Sequence, residues 1–184
     1  GLDRHATSGY PSYIGMAEFR QAVAGWMKKR FGITLDPEME ITSSIGSKEA
    51  IFHFPLGFVN PGDHVIIPSP GYPPYKTGTI FAGGIPYFYP LLEKNDFYPD
   101  FTKIPPHIAK KSKILWLNYP GSPSGKCATA ELYLQTIRFA EKYNLIIASD
   151  ECYSEIYFEK KPHSILEYGR KNIVVFQSLS KRSC

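Results

Sequence analysis

Short apolar runs alternate along the chain with segments whose apolar residues recur at helical spacing. Runs that are apolar at consecutive positions, rather than at every second one, are typical of strands buried on both faces of a parallel sheet. Five segments have this character: 64–68, 85–89, 113–117, 145–148 and 173–176. We therefore predict an α/β fold with three layers, αβα, around a mostly parallel sheet.

Four segments are predicted to be helices. In residues 17–31 the apolar positions share one face, and Gly32 suits the C-terminal cap. Thr129 is a preferred N-cap residue for another helix that runs to Tyr143. A short extended segment, 40–44, precedes a turn at Gly46. The two remaining helices are predicted over residues 48–54 and 74–81.

Composition narrows the class of protein. The chain has 184 residues, of which 43% are hydrophobic and 21% charged, which is enough for one globular domain with a core. Its formal net charge is +4, and basic residues are interleaved with acidic ones. We therefore expect no nucleic-acid surface. No apolar stretch is long enough to span a membrane and no signal peptide precedes Gly1, so we expect no membrane partner.

The cysteines and the first residues add two expectations. Cys127, Cys152 and Cys184 are far apart and form no CxxC pair. This spacing favours neither a zinc site nor a disulfide framework, so we predict no metal and reduced thiols in a cytoplasmic protein. The polar segment 1–9 has no initiating methionine and is typical of mid-chain sequence, which indicates a fragment.

The residues after each predicted strand are the candidates for function, because ligands of parallel α/β sheets bind beyond the carboxyl ends of the strands. Tyr72 follows 64–68 and suits either stacking on a flat ligand or packing in the core. Asp150 follows 145–148, where a buried carboxylate needs a cation or several hydrogen-bond donors. Lys181 follows the last predicted strand, with small polar residues between them.

Two further segments have the character of anion sites. Gly46, Ser47 and Lys48 open a predicted helix, and N–H groups at a helix start suit an anion, although an ordinary turn and cap explain the pattern equally well. The segment NYPGSPSGK resembles a phosphate loop only superficially. Its glycine spacing is one residue short, and Cys127 stands where that motif requires serine or threonine. We reject a phosphate loop there.

Together, an anion site, an aromatic plate, a carboxylate and a lysine indicate one kind of ligand. It carries a phosphate, a flat ring with a protonatable nitrogen, and a carbonyl group that a lysine can attack. Pyridoxal 5'-phosphate has all three features.

The order of these segments resembles fold-type I pyridoxal-phosphate enzymes, specifically the class I/II aminotransferases. SLSK is similar to the start of the family's lysine signature, SDECYSEIYF to its Asp-x-x-Tyr segment, and PGYPPYKTGTIFAGG to its ring-stacking segment. The resemblance covers essentially the whole chain. It is closest to diaminopimelate-type enzymes, with aspartate-type enzymes next.

The resemblance implies a role for each candidate residue. Lys181 binds the cofactor covalently and moves a proton. Asp150 pairs with the pyridine nitrogen, Tyr153 bonds the ring hydroxyl, and Tyr72 stacks on the ring. The phosphate is held by Ser47, Ser178 and the backbone of Gly46 and Lys48.

Tyr10, in the segment YPSYIG, would by the same resemblance reach the phosphate of a neighbouring subunit. This implies a homodimer with shared active sites. Aromatic packing is the alternative for Tyr10 and Tyr153, since the chain has 13 tyrosines.

Ser122 departs from the family pattern. The chain reads Ser-Pro-Ser-Gly from Ser122 where the family usually reads Asn-Pro-Thr-Gly. The usual asparagine touches the ring hydroxyl of the cofactor and helps to seat the substrate carboxylate. Serine is shorter and has no amide, so we expect a changed contact with cofactor and substrate.

The resemblance also places the chain within a larger protein. The family's phosphate-binding arginine, and the substrate-binding arginine of its small domain, would both fall beyond Cys184. The usual N-terminal arm would fall before Gly1. We therefore expect residues 1–184 to be the large cofactor-binding domain, incomplete at both ends, without the small C-terminal domain and inactive by itself.

The predicted activity is transfer of an amino group between an amino acid and a 2-oxo acid such as 2-oxoglutarate, in lysine biosynthesis. The candidate amino donors are LL-diaminopimelate, N-succinyl-diaminopimelate and aspartate. A C–S lyase or decarboxylase on the same scaffold is an alternative, because substrate orientation chooses the reaction. A cofactor-binding effector domain of a regulator is another.

Overall fold

The computed structural model describes residues 9, 10 and 12–182. The chain divides into two compact units, Gly1–Ile45 and Gly46–Cys184. Cys127 and Cys152 are free thiols, as predicted, whereas Cys184 lies outside the described residues.

The first unit contains one helix, α1, over Ala17–Phe31, as predicted. Gly32 caps it in the left-handed conformation, with φ of 74°. Arg20 is buried and its Nη1 donates a hydrogen bond of 2.6 Å to the carbonyl of Pro37. The predicted extended segment 40–44 is not a strand, because it joins no ladder among the described residues. Backbone hydrogen bonds from the N–H of Ser43 to the carbonyl of Ile14, and from the N–H of Glu40 to that of Asp36, hold it within this unit.

The second unit is built on a sheet of five parallel strands in the order β2-β1-β3-β4-β5. This confirms the predicted parallel sheet. The fourth strand begins one residue later than predicted and includes Asp150 as its last residue. The strands are β1 His64–Ser69, β2 Ile85–Pro90, β3 Ser112–Asn118, β4 Ile146–Asp150 and β5 Ile173–Phe176.

Helices and short 3₁₀ turns connect these strands. Thr129 caps the longest of them as predicted, since its Oγ1 accepts a hydrogen bond from the N–H of Leu132. The fourth helix was not predicted from the sequence. The helices are α2 Ser47–His53, α3 Pro73–Phe81, α4 Pro106–Lys111 and α5 Ala130–Tyr143. The 3₁₀ turns are Phe54–Gly57, Glu93–Asn95, Phe101–Lys103, Ile165–Glu167 and Leu179–Lys181.

Alternate strand residues bury themselves on opposite faces of the sheet. Leu115 and Ile147 lie in one core cluster with Leu132 of α5. Trp116 and Ala148 lie in a second cluster, whose helical members are Ile51 of α2 and Tyr75 of α3. The second unit therefore has the predicted three layers, αβα.

The described residues include no helix that combines the length and the apolar character needed to cross a lipid bilayer. They also contain no group of histidine, cysteine and acidic side chains arranged to hold a metal ion.

Candidate functional site

The carboxyl ends of β3, β4 and β5 lie side by side and define the site. Asn118 is in register with Asp150, and Asp150 with Phe176, so the aspartate is central. The side-chain amide of Asn118 donates a hydrogen bond of 3.2 Å to the carbonyl of Asp150. β5 leads directly into the turn that carries Lys181. Parallel strands thus place the predicted carboxylate and lysine at one edge of the sheet.

The Asp150 carboxylate is buried, with 5% of the residue exposed. Its Oδ2 accepts a hydrogen bond of 2.6 Å from the hydroxyl of Tyr75, and its Oδ1 accepts one of 3.2 Å from the backbone N–H of Cys152. Donors rather than a cation therefore supply the partners that a buried carboxylate needs. The sequence predicts that Asp150 needs hydrogen-bond donors or a cation, but it does not indicate that Tyr75 is one of those donors.

Tyr75 is fully buried and its ring stacks on that of Trp116, with centroids 4.6 Å apart and planes 19° apart. Burial, and next the charge of Asp150, raise the pKa of the Tyr75 hydroxyl well above its ordinary value. The hydroxyl therefore stays protonated and donates. Tyr72 meets Tyr75 edge to face at 5.8 Å, which brings the predicted stacking residue next to the partner of Asp150.

Lys181 is exposed and ends the 3₁₀ turn Leu179–Lys181. Its Nζ lies 5.9 Å from the centre of the Tyr153 ring, so the structure brings these two predicted residues together. Ser178 caps the turn, because its Oγ accepts a hydrogen bond from the N–H of Ser180. The same hydroxyl lies 2.7 Å from that of Ser180.

Cys152, which sequence reasoning missed, lies among the candidate residues. Burial, and next the charge of Asp150, raise the pKa of its thiol well above the ordinary value. The hydroxyl of Ser47 and the ammonium group of Lys181 act on that pKa in the opposite direction. Ser47, Asp150 and Lys181 therefore all act on one buried thiol, whose signal in the sequence is its place between Asp150 and Tyr153 in the segment SDECYSEIYF.

The start of α2 adds the remaining phosphate candidates. Gly46 precedes the helix with φ of 77°, a conformation that favours glycine. Ser47 is half-buried and is the first helical residue, and Lys48 follows it with an exposed side chain. The structure thus places Gly46 and Lys48 beside Ser47, and their contact with a phosphate stays a prediction.

Ser122 is exposed in the loop after β3. Its backbone N–H donates a hydrogen bond of 3.0 Å to Oδ1 of Asn118. Because Asn118 also binds the carbonyl of Asp150, one buried amide joins the Ser122 loop to β4. Asn118 had no signal in the sequence beyond its place at the end of a strand.

Tyr10 belongs to the first unit and is fully exposed. Its predicted contact with the phosphate of a partner subunit therefore stays a prediction.

The fold agrees with that of known proteins. The chain belongs to the family of class I and II aminotransferases, whose family model matches residues 2–183. This confirms the resemblance found in the sequence.

Two relatives and one solved structure illustrate the similarity. An LL-diaminopimelate aminotransferase of Aquifex aeolicus is 55% identical over 175 residues, which cover 94% of this chain and 45% of the relative. One of Nitratidesulfovibrio vulgaris is 47% identical over 184 residues, covering 98% and 47%. The crystal structure of an aminotransferase from Neisseria meningitidis matches with a TM-score of 0.93 and 35% identity, covering 99% of this chain and 49% of that one. The chain thus spans about half the length of the curated relatives it matches.

Proposed function

We propose that the protein containing this chain is a pyridoxal-phosphate-dependent aminotransferase. In this proposal it moves the amino group of LL-diaminopimelate to a 2-oxo acid such as 2-oxoglutarate. The observation that carries the proposal is the buried Asp150 carboxylate, held by Tyr75 at the same sheet edge as the Lys181 turn. The names of the relatives support the substrate over N-succinyl-diaminopimelate and aspartate.

The residues present fit the cofactor. A carboxylate has about four acceptor positions, and the hydrogen bonds described for Asp150 use two of them. Capacity remains for the N–H of a pyridine ring. When bound, pyridoxal phosphate supplies an electron sink for negative charge on the substrate.

Each side chain then has a definite task. Asp150 would accept a hydrogen bond from the protonated ring nitrogen and keep the ring charged, while Tyr75 holds the carboxylate in place. Tyr72 covers the ring, and Tyr153 bonds its hydroxyl group. Lys181 forms the covalent attachment and carries a proton through its Nζ. The phosphate partners are Ser47, Ser178 and the backbone N–H groups of Gly46 and Lys48.

The assembly and the location of the protein are part of the same proposal. Tyr10 of a second copy completes the phosphate site, so the active form is a homodimer in the cytoplasm. Residues 1–184 belong to the large domain, and the rest of a longer chain supplies the small domain. The coverage of the relatives, at 45% and 47% of their lengths, supports this division.

The test is a product assay on the full-length natural protein. Glutamate formed from 2-oxoglutarate is measured with LL-diaminopimelate, N-succinyl-diaminopimelate and aspartate as alternative donors. We expect the highest kcat/KM with LL-diaminopimelate. Release of carbon dioxide without glutamate would instead identify a decarboxylase. Release of a thiol or sulfide from a sulfur-containing amino acid such as cysteine, tested in parallel, would identify a C–S lyase. Cofactor binding without turnover of any donor would favour an effector domain.

A further inference from the structure

A second acidic residue follows Asp150 in sequence but points to the opposite face of the sheet. Glu151 is completely buried, with 0% of the residue exposed. Its Oε1 accepts hydrogen bonds of 3.0 Å from the hydroxyl of Ser149 and from the backbone N–H of Ile165. Its Oε2 has no hydrogen-bond partner among the described residues. Burying a carboxyl group costs more free energy of desolvation than burying an apolar side chain of similar size. The contacts of Glu151 therefore indicate a specific role.

The bond to Ile165 joins the end of β4 to the turn Ile165–Glu167. A capping box closes this turn, and within it Glu167 accepts a hydrogen bond of 2.7 Å from the N–H of Ser164. Ile165 is itself fully buried, in the core cluster on the α5 side of the sheet. Glu151 is therefore a polar link between a closed turn and the strand that ends in Asp150.

The backbone around Glu151 also carries the candidate site. The N–H of Cys152 donates to Oδ1 of Asp150, at 3.2 Å. The N–H of Ser154 donates to the carbonyl of Glu151, at 3.0 Å. This second bond closes the turn that contains Tyr153. A shift of residue 151 would therefore disturb both the Asp150 carboxylate and the Tyr153 turn.

We propose that Glu151 is a positioning residue. By clamping the turn Ile165–Glu167 to the end of β4, it fixes the backbone that carries Asp150 and Tyr153. The importance of those two side chains rests on the proposed function, whereas the clamp itself does not. An oxygen acceptor is needed at this position because the donors on Ser149 and Ile165 are buried.

The test compares three variants of the full-length protein with cofactor bound. Glu151→Ala removes the acceptor, whereas Glu151→Gln keeps an acceptor oxygen for both donors. Glu167→Ala is the matched control, because it removes the capping-box acceptor of the same turn and leaves both donors to Glu151 in place. Amide hydrogen exchange is followed at Cys152 and Ser154, and separately across residues 164–168. Cofactor affinity, kcat and KM are measured alongside.

We expect Glu151→Ala to speed exchange at Cys152 and Ser154 by about tenfold or more, the effect of leaving a buried donor without its acceptor. Cofactor affinity and kcat should fall more than the affinity for substrate. Glu151→Gln should restore all of these, and Glu167→Ala should speed exchange only at 164–168. Faster exchange confined to 164–168 in the alanine variant, or failure of glutamine to restore, would overturn the proposal.

A second variant covers the case in which Glu151→Ala does not fold. Ile165→Pro removes the donating N–H while leaving Glu151 in place. Proline suits this first position of a turn, and Ser164 before it is already extended, with ψ of 144°. Faster exchange at Cys152 and Ser154 supports the clamp, and unchanged exchange overturns it. A wild-type protein without aminotransferase activity would refute the proposed function but leave this exchange test decisive.

Discussion

The hydroxyl of Tyr75 donates a hydrogen bond of 2.6 Å to Oδ2 of Asp150, across 75 positions of the chain. Both residues are buried, and the Tyr75 ring is fixed by stacking on Trp116. A helix on one face of the sheet thus sets the orientation of a carboxylate at the end of β4.

Tyr75→Phe should remove this donor and keep the stacked ring. We expect kcat/KM of the full-length enzyme to fall by roughly 10- to 100-fold, since a hydrogen bond to a charged group contributes about 1.5–3 kcal/mol. Tyr89→Phe is the control, because Tyr89 is equally buried but donates to the carbonyl of Trp116. Equal losses of activity in the two variants would mean that Tyr75 acts through stability alone.

Lys181 should be the residue that binds the cofactor covalently, since it ends the turn that follows β5. Borohydride reduction of the holoenzyme, followed by peptide mapping, should place the label on Lys181. Lys181→Ala should abolish the labelling, whereas Lys126→Ala should preserve it, because Lys126 forms an ion pair with Asp96. A label on Lys48 or Lys126 would contradict the assignment.

Asp150→Asn should retain the shape of the site and an acceptor for Tyr75 but remove the negative charge. A neutral partner no longer keeps the ring nitrogen protonated, so the electron sink weakens. We expect the barrier to transamination to rise by about 3 kcal/mol or more, which is about a hundredfold in rate. Spectroscopic titration with pyridoxal phosphate should still detect binding. Turnover close to that of wild type would rule out this electronic role.

Glu151 should make stability depend on pH. Burial raises its pKa from an ordinary 4.5 to about 7, against hydrogen bonds led by that from Ile165, which lower it. Nearby Glu167, which pairs with His163, raises it further. Because the folded state holds the proton more tightly, the free energy of unfolding should fall as pH rises from 4.5 to 7. The total loss should be roughly 3 kcal/mol, with no further change from this group above pH 7.

Urea unfolding of the full-length protein at a series of pH values tests this dependence. Glu151→Gln cannot titrate, so it should lack the decline between pH 4.5 and 7 while other groups contribute equally to both proteins. Parallel stability curves for the two proteins would contradict the prediction.

Ser122→Asn should restore an amide that the family usually has at this position. If the loop keeps its bond to Asn118, one added charge-assisted hydrogen bond should tighten binding of a dicarboxylate substrate by roughly 1.5–3 kcal/mol. The measurement is KM, or the substrate Kd, in the full-length enzyme. A clear loss of activity would show that the pocket is built around serine.

Local patterns were enough to predict most elements of the second unit. Continuous apolar runs predicted the five strands, and Thr129 predicted the start of α5. Both features depend on residues that are close together in the sequence. The extended segment 40–44 joins no sheet among the described residues, since an extended backbone becomes a strand only where a partner pairs with it. The six-residue helix α4 was missed because it is too short to show a helical period.

The candidate site was predictable only in part. Asp150 and Lys181 could be found because they follow strands, and parallel strands end together. Tyr75, Cys152 and Asn118 could not, because their roles depend on contacts between distant segments. The Tyr75 bond, for example, exists only after α3 has packed on the sheet through the core around Trp116.

The opposite orientation of Asp150 and Glu151 restricts how this gene segment can change in length. A one-residue insertion or deletion within β4 would turn the glutamate towards Tyr75 and the aspartate towards the core beside α5. Neighbouring residues can compensate for a substitution. A shift of the strand register by one residue, however, exchanges the faces on which the aspartate and the glutamate lie. The exposed stretch 158–161 is not under this constraint. We expect natural insertions and deletions to occur there rather than in residues 146–151, and engineered insertions to be tolerated there.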